Sequence, residues 1–220
     1  MPFAIGSNPN ESARYGKHSI VLQRSEGIGR KSMRLSFFDL VAPVYDRLFR
    51  FLDVKHVLEL LQAKPGDRLL DVGGGTGRIS AALIPVYKVI VCDSSWGMVQ
   101  VAQKKGLIAC CGLAEHLPFA DHSFDGILIV DALHHFSDQR AAIREALRVL
   151  RPGGRLVIEE PDIRRWQIKL IALAEQLLHL HSHIRSLAEI TRLVGEAGGH
   201  VLPGPEDGDL SVRLAVIRDT

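Results

Sequence analysis

The chain has 220 residues, of which 46% are hydrophobic, enough for one sizeable globular core and a squeeze for two. Its net charge of +2 gives no global electrostatic case for nucleic acid or an anionic membrane surface. No apolar run reaches the length of a membrane span, and none near the start looks like a secretory signal.

Residues 1–35 are polar and without sustained periodicity, and the first 34 carry six Lys/Arg against two Glu. They read as a flexible N-terminal tail. The folded domain is expected over 36–220. Residues 37–52 form a helical entry segment in which Pro43 forces a break.

From Val54 onward helical and strand patterns alternate. Helices are predicted near 54–62, 76–84, 95–104 and 138–150, and a further one begins near Ser186. Strands are predicted near 68–72, 88–92, 107–111, 125–130 and 154–160. Such alternation indicates a parallel sheet with helices on both faces. Between the fifth strand and Ser186, Trp166, Leu170, Leu173, Leu177 and Leu180 recur at four- and three-residue steps, one apolar face of a helix. There is no internal repeat, low-complexity tract or separate domain.

The stretch with most chemistry is Leu69-Leu70-Asp71-Val72-Gly73-Gly74-Gly75-Thr76-Gly77. A buried strand ends in a turn with glycines at alternate positions, and the turn opens a helix. Such a turn lets a ligand lie on the backbone, and the helix start adds oriented N–H donors. Asp93 ends the next apolar run, about twenty residues on, where a doubly wound fold carries a ribose-binding carboxylate. A dinucleotide fingerprint, G-x-G-x-x-G, is not met: its last glycine falls on Arg78 or Ser80.

The alternating glycines with a preceding Asp71 instead resemble motif I of class I S-adenosylmethionine (SAM)-dependent methyltransferases. Four later segments agree in order. Asp93-Ser94-Ser95-Trp96-Gly97-Met98 resembles motif II. Gly112-Leu113-Ala114-Glu115-His116-Leu117-Pro118-Phe119 resembles the adenine loop. Phe124 to Phe136 resembles the fourth strand with its Leu-His-His exit. Glu145 to Leu156 resembles the following helix, turn and fifth strand. The entry phrase Phe37 to Asp46 is similar to that of methyltransferases related to the ubiquinone and menaquinone biosynthetic enzymes.

This resemblance implies a Rossmann-like α/β fold: a doubly wound, seven-stranded, mostly parallel sheet of order 3-2-1-4-5-7-6, with strand 7 antiparallel. Strands 6 and 7 would be His200–Gly204 and Leu210–Ile217. Segments 36–52 and 161–185 would be helical caps. It implies SAM as cofactor and a small, partly apolar methyl acceptor, in a cytoplasmic enzyme without metal, nucleic acid or stable membrane insertion. The implied cofactor-binding residues are Asp71, Gly73, Gly75, Gly77, Asp93, Ser94, Met98, Leu113, Ala114, Glu115 and Asp131. A catalytically silent SAM-fold scaffold is the alternative, supported by Leu113, which stands where relatives carry an Asp. A nicotinamide oxidoreductase is disfavoured by the glycine spacing.

Methyl transfer from a sulfonium rests on positioning and electrostatics, and needs a base only for a protonated nucleophile. His134 and His135 leave the fourth strand where open α/β sheets bind ligands, and Tyr45 belongs to the entry segment. These three are the candidate catalytic residues. In their place as helix-packing, capping and core groups, all three have ordinary structural roles too. The menaquinone enzymes carry Arg-Asn where this chain has His134-His135. Glu159, Glu160 and Asp162 read as a solvated strand exit. His179, His181 and His183 read as a polar helix end rather than a metal site. Cys92, Cys110 and Cys111 lie in apolar runs, as buried thiols of a reducing compartment do.

Overall fold

The computed structural model describes Ala42 and residues 54–162, 183–202 and 211–218. The N-terminal tail, Tyr45, the first expected cap apart from Ala42, the second apart from 161, 162 and 183–185, and His179 and His181 lie outside the described residues.

Seven strands form one sheet of order β3-β2-β1-β4-β5-β7-β6. They are β1 (Arg68–Val72), β2 (Lys88–Asp93), β3 (Ile108–Cys111), β4 (Phe124–Val130), β5 (Leu150–Pro161), β6 (Gly199–Leu202) and β7 (Ser211–Arg218). β1 pairs in parallel with β2 and β4, and β2 with β3 and β4 with β5 are parallel too. β7 runs antiparallel between β5 and β6. This is the expected topology. The central strands are apolar on both faces because both faces are covered: Leu69, Leu70, Ile127, Leu128 and Ile129 are fully buried.

Among the described residues five α-helices cover the sheet: α1 (Val54–Leu61), α2 (Arg78–Leu83), α3 (Trp96–Lys104), α4 (Gln139–Val149) and α5 (Leu187–Glu196). One core joins Ala142, Ile143 and Ala146 of α4 and Ile190 and Val194 of α5 to Ile127, Ile129, Leu156 and Ile158. The opposite core joins Val57 and Leu61 of α1 and Ile79 and Leu83 of α2 to Leu69, Leu128 and Val157. Residues of one strand thus serve two cores in alternation, the period-2 consequence of a pleated strand.

Helix starts fall where caps put them. Ser95 accepts from the Met98 amide and Asp138 from the Ala141 amide, each satisfying a first-turn donor. Ser186 and Glu189 form a reciprocal capping box. The predicted fifth strand is corrected at its start. It begins at Leu150, opposite Phe124, and a register shift then brings Arg155 opposite Gly126. The Pro152-Gly153-Gly154 run is therefore an irregularity inside a longer strand, not a turn before it.

A candidate cofactor cleft at the carboxyl ends of the strands

The carboxyl ends of β1, β2, β3 and β4 surround a cleft of about 210 Å³. This is the crevice where open parallel sheets bind ligands. It is lined by Gly73 and Gly75 from the turn after β1, by Cys92, Asp93, Ser94 and Met98, by residues 112–115, and by Asp131, Ala132, His135 and Phe136. Nine of the eleven residues expected to hold a cofactor line it. The other two, Asp71 and Gly77, stand behind the wall.

Gly77 has φ +70, and a Cβ there would fall 2.1 Å from Leu107 Cδ1, so it packs helix α2 against the sheet. Gly75 differs. It too has positive φ (+55), but a Cβ would meet only Met98 Sδ, at 3.8 Å. Both residues line the cleft. Here glycine keeps backbone open to a ligand, not to the protein.

Asp71 supports the turn from beneath. Its carboxylate is 1% exposed and accepts from Ser80 Oγ at 2.7 Å. Burial pushes its pKa up to about 6, against the lowering effect of the Ser80 bond. Asp93 faces the cleft. Its Oδ2 accepts from the Gly75 amide at 2.9 Å and its Oδ1 from the Ser95 amide at 2.8 Å. A carboxylate oxygen can accept more than one hydrogen bond, so this side chain suits ligand hydroxyls. Glu115 accepts from the Ser137 and Asp138 amides. It thereby fastens the loop after β3 to the start of α4. Leu113 stands 44% exposed at the cleft.

The two histidines divide. His135 lines the cleft, and burial, helped by neighbouring His134, pushes its pKa down to about 3. It is a neutral acceptor at physiological pH. His134 turns away: it is 4% exposed, and its Nδ1 lies 2.6 Å from Glu160 Oε2. The acids at the end of β5 are not a solvated exit, which corrects the expectation. Glu159 pairs with Arg213 at 3.0 Å and accepts from Ser211 Oγ at 2.9 Å. Glu160 and Asp162 are 1% and 2% exposed.

Asp131 has φ +50, rare for a residue with a Cβ. Its amide donates to the Glu159 carbonyl at 2.9 Å. The residue is exposed where it lines the cleft. Loss of solvation on its protein side, with Glu160 and Glu159 nearby, raises its pKa to about 6.

Sequence reasoning missed Cys92, Gly112, Ala132 and Phe136 as lining residues. The apolar run around Cys92 predicts a buried strand thiol. Its position one residue before Asp93 was the available signal, as Gly112's was its place at the exit of β3.

The charge of this cleft discriminates between cofactors. Among the described residues its lining has three carboxylates, Asp93, Glu115 and Asp131, and no Lys or Arg. A pyrophosphate would be repelled. A sulfonium and an ammonium, the two cations of S-adenosylmethionine, fit it, and the open backbone at Gly75 fits a ligand lying across the turn.

Comparisons with known proteins agree. A family model described as "Methyltransferase domain" matches residues 70–158. A demethylmenaquinone methyltransferase of Beutenbergia cavernae is 41% identical over 131 residues, 58% of this chain and 53% of that protein. One of Thermotoga maritima is 36% identical over 156 residues, 64% of this chain and 67% of that protein. This chain belongs to the class I SAM-dependent methyltransferases. It spans little more than half the length of the Beutenbergia relative.

Solved structures of the family carry the same fold. A SAM-dependent methyltransferase from Thermotoga maritima superposes with a TM-score of 0.65 at 26% identity, over 82% of this chain and 98% of that one. Another from Aquifex aeolicus gives 0.67 at 22% identity, over 82% and 98%. The family's cofactor is SAM, and the acidic cleft of this chain suits it. Among the described residues no cluster of His, Cys, Asp and Glu is arranged for a metal, and no helix is long and apolar enough to cross a membrane.

Proposed function

We propose that the protein transfers a methyl group from SAM to a small, partly apolar acceptor of the quinone-like class for which its curated relatives are named. The observation that carries this reading is the cleft itself: open backbone at Gly75, the Asp93 carboxylate at its rim, and two further acidic side chains, Glu115 and Asp131, in its wall. SAM, when bound, supplies a methyl group already activated on a sulfonium. The chain's residues have to hold it, align the acceptor and exclude water.

In this reading Asp93 holds the ribose hydroxyls, and Gly75 passes beneath the ligand. Met98, Leu113 and Ala114 border the adenine. Asp131, at the end of β4, offers its carboxylate and backbone to the cationic end. His135 meets the acceptor. A reduced quinone or phenol arrives with a hydroxyl, and a neutral imidazole can accept its hydrogen bond. Leu113 removes a polar adenine contact but leaves the cleft intact, so nothing here favours a silent scaffold. The same reading treats 36–220 as one domain in the cytoplasm, which three free cysteines suit.

Incubation with trideuteromethyl-SAM and a panel of reduced naphthoquinones and phenols, read by mass spectrometry, tests it. A trideuteromethyl product that disappears with Asp93→Ala supports the reading. SAM binding with no product from any hydroxyl-bearing aromatic acceptor overturns the acceptor class.

A further inference from the structure

Glu160 sits near the end of β5, where its backbone pairs with β7, and its carboxylate meets the turn after β4. Its Oε1 accepts from the amides of Ala132 (2.9 Å) and Leu133 (2.8 Å), and its Oε2 from the amide of His134 (3.2 Å). Its Oε2 also meets His134 Nδ1 at 2.6 Å, with both side chains almost fully buried. A carboxylate acceptor there places the proton of His134 on Nδ1, since an unprotonated nitrogen would face it with a lone pair. From the other side, the His183 amide donates to the His134 carbonyl at 2.8 Å. Gln139 Nε2 donates to the His183 carbonyl at 2.9 Å, and Arg185 Nε donates to Gln139 Oε1. His134 is therefore held at its ring, its amide and its carbonyl.

The His134 ring in turn lies 4.0 Å, centroid to centroid, from the ring of His135, tilted by 49°. His135 is the imidazole in the cleft wall. A ring packed on a fixed ring loses freedom to swing, and a buried carboxylate–imidazole bond in a water-poor site is strong.

We propose that Glu160, acting through His134, is the positioning residue that presents His135 to an acidic hydroxyl of the methyl acceptor. The proposal rests on the methyl-transfer reading above and adds the acceptor's chemical feature, an aromatic hydroxyl. In this pose the acceptor O–H donates a hydrogen bond to a ring nitrogen of His135, which orients the hydroxyl with no bond broken. Glu160 touches neither acceptor nor cofactor; what it fixes is where and how that nitrogen points.

The test uses the full chain loaded with S-adenosylhomocysteine. Nitrogen-15 spectra of the histidine rings, assigned with His135→Gln, report tautomer and environment. 1-Naphthol and 1-methoxynaphthalene serve as paired probes that differ in the hydroxyl proton. Wild type should show His134 protonated at Nδ1, and should prefer naphthol by about tenfold, the worth of one hydrogen bond. Glu160→Gln keeps an acceptor for the backbone amides but removes the charge, and His134→Phe keeps a ring against His135. Either variant should shift the His135 ring signals and reduce the preference below about twofold, with S-adenosylhomocysteine affinity unchanged. His134 protonated at Nε2 in wild type would overturn the proposal, as would no preference for naphthol. Unaltered His135 signals and preference in a folded variant would overturn it too. Should wild type fail to bind S-adenosylhomocysteine at all, the methyl-transfer reading falls instead.

Discussion

The Asp93 carboxylate accepts the Gly75 amide hydrogen at 2.9 Å, and so ties the end of β2 to the turn that follows β1. With its other oxygen on the Ser95 amide, the same side chain also fixes the start of α3. One residue thus shapes two of the loops that line the cleft and still faces it.

Asp93→Ala should therefore weaken SAM binding by about 1.5–3 kcal/mol, the range for hydrogen bonds to a charged group. Titration calorimetry measures it. Affinity unchanged in a folded variant would remove Asp93 from the ribose site.

The glycines of the turn should separate by experiment. Gly75→Val should leave the protein folded, with a backbone penalty of about 1–2 kcal/mol for a Cβ at positive φ, and should abolish SAM binding. Gly77→Val should lose the fold first, because its Cβ would meet Leu107 at 2.1 Å. Thermal melts with and without SAM distinguish the two cases. Normal SAM binding by Gly75→Val would show that the ligand does not lie across this turn.

Leu113 is exposed, so Leu113→Asp should change stability by no more than about 0.5 kcal/mol. It should tighten SAM binding if the carboxylate reaches the adenine amino group. An unchanged or weaker affinity would mean that residues 112–115 meet the adenine differently.

Most of the fold was legible in the sequence because apolar runs of strand length alternate with amphipathic helices. The lining residues were largely legible because Asp93, Leu113 and Asp131 fall at or just beyond strand ends, and such positions meet in this topology. The division between His134 and His135 was not legible. They are adjacent, chemically identical and at one strand exit. Glu160, 26 residues later, holds the buried ring of His134, and strand pairing rather than sequence spacing brings it there. The start of β5 was hidden for a related reason. Pro152-Gly153-Gly154 has the composition of a turn, and the pairing of Leu150 with Phe124 overrides it.

Asp71 gives a pH prediction. Its pKa rises from 3.8 to about 6 on folding. The folded chain thus binds more protons than the unfolded one between these values, and stability falls as pH rises through them. His135, pushed down to about 3, acts oppositely, losing stability as pH falls below its unfolded value of 6.5. Asp71→Asn should therefore gain stability over wild type of up to about 3 kcal/mol above pH 7. The gain should vanish below about pH 4, where the wild-type carboxyl is neutral in both states. Urea unfolding at a series of pH values measures this. A gain that does not depend on pH would contradict the burial of a charged Asp71.

The central claim is that an acidic, glycine-floored cleft selects a sulfonium cofactor over a dinucleotide. Calorimetric titration of the full chain with SAM, S-adenosylhomocysteine and NAD, at equal concentration and low salt, tests it most directly. The account predicts one-to-one binding of the first two and no heat from NAD. Binding of NAD in preference to SAM, or no binding of SAM, would contradict it.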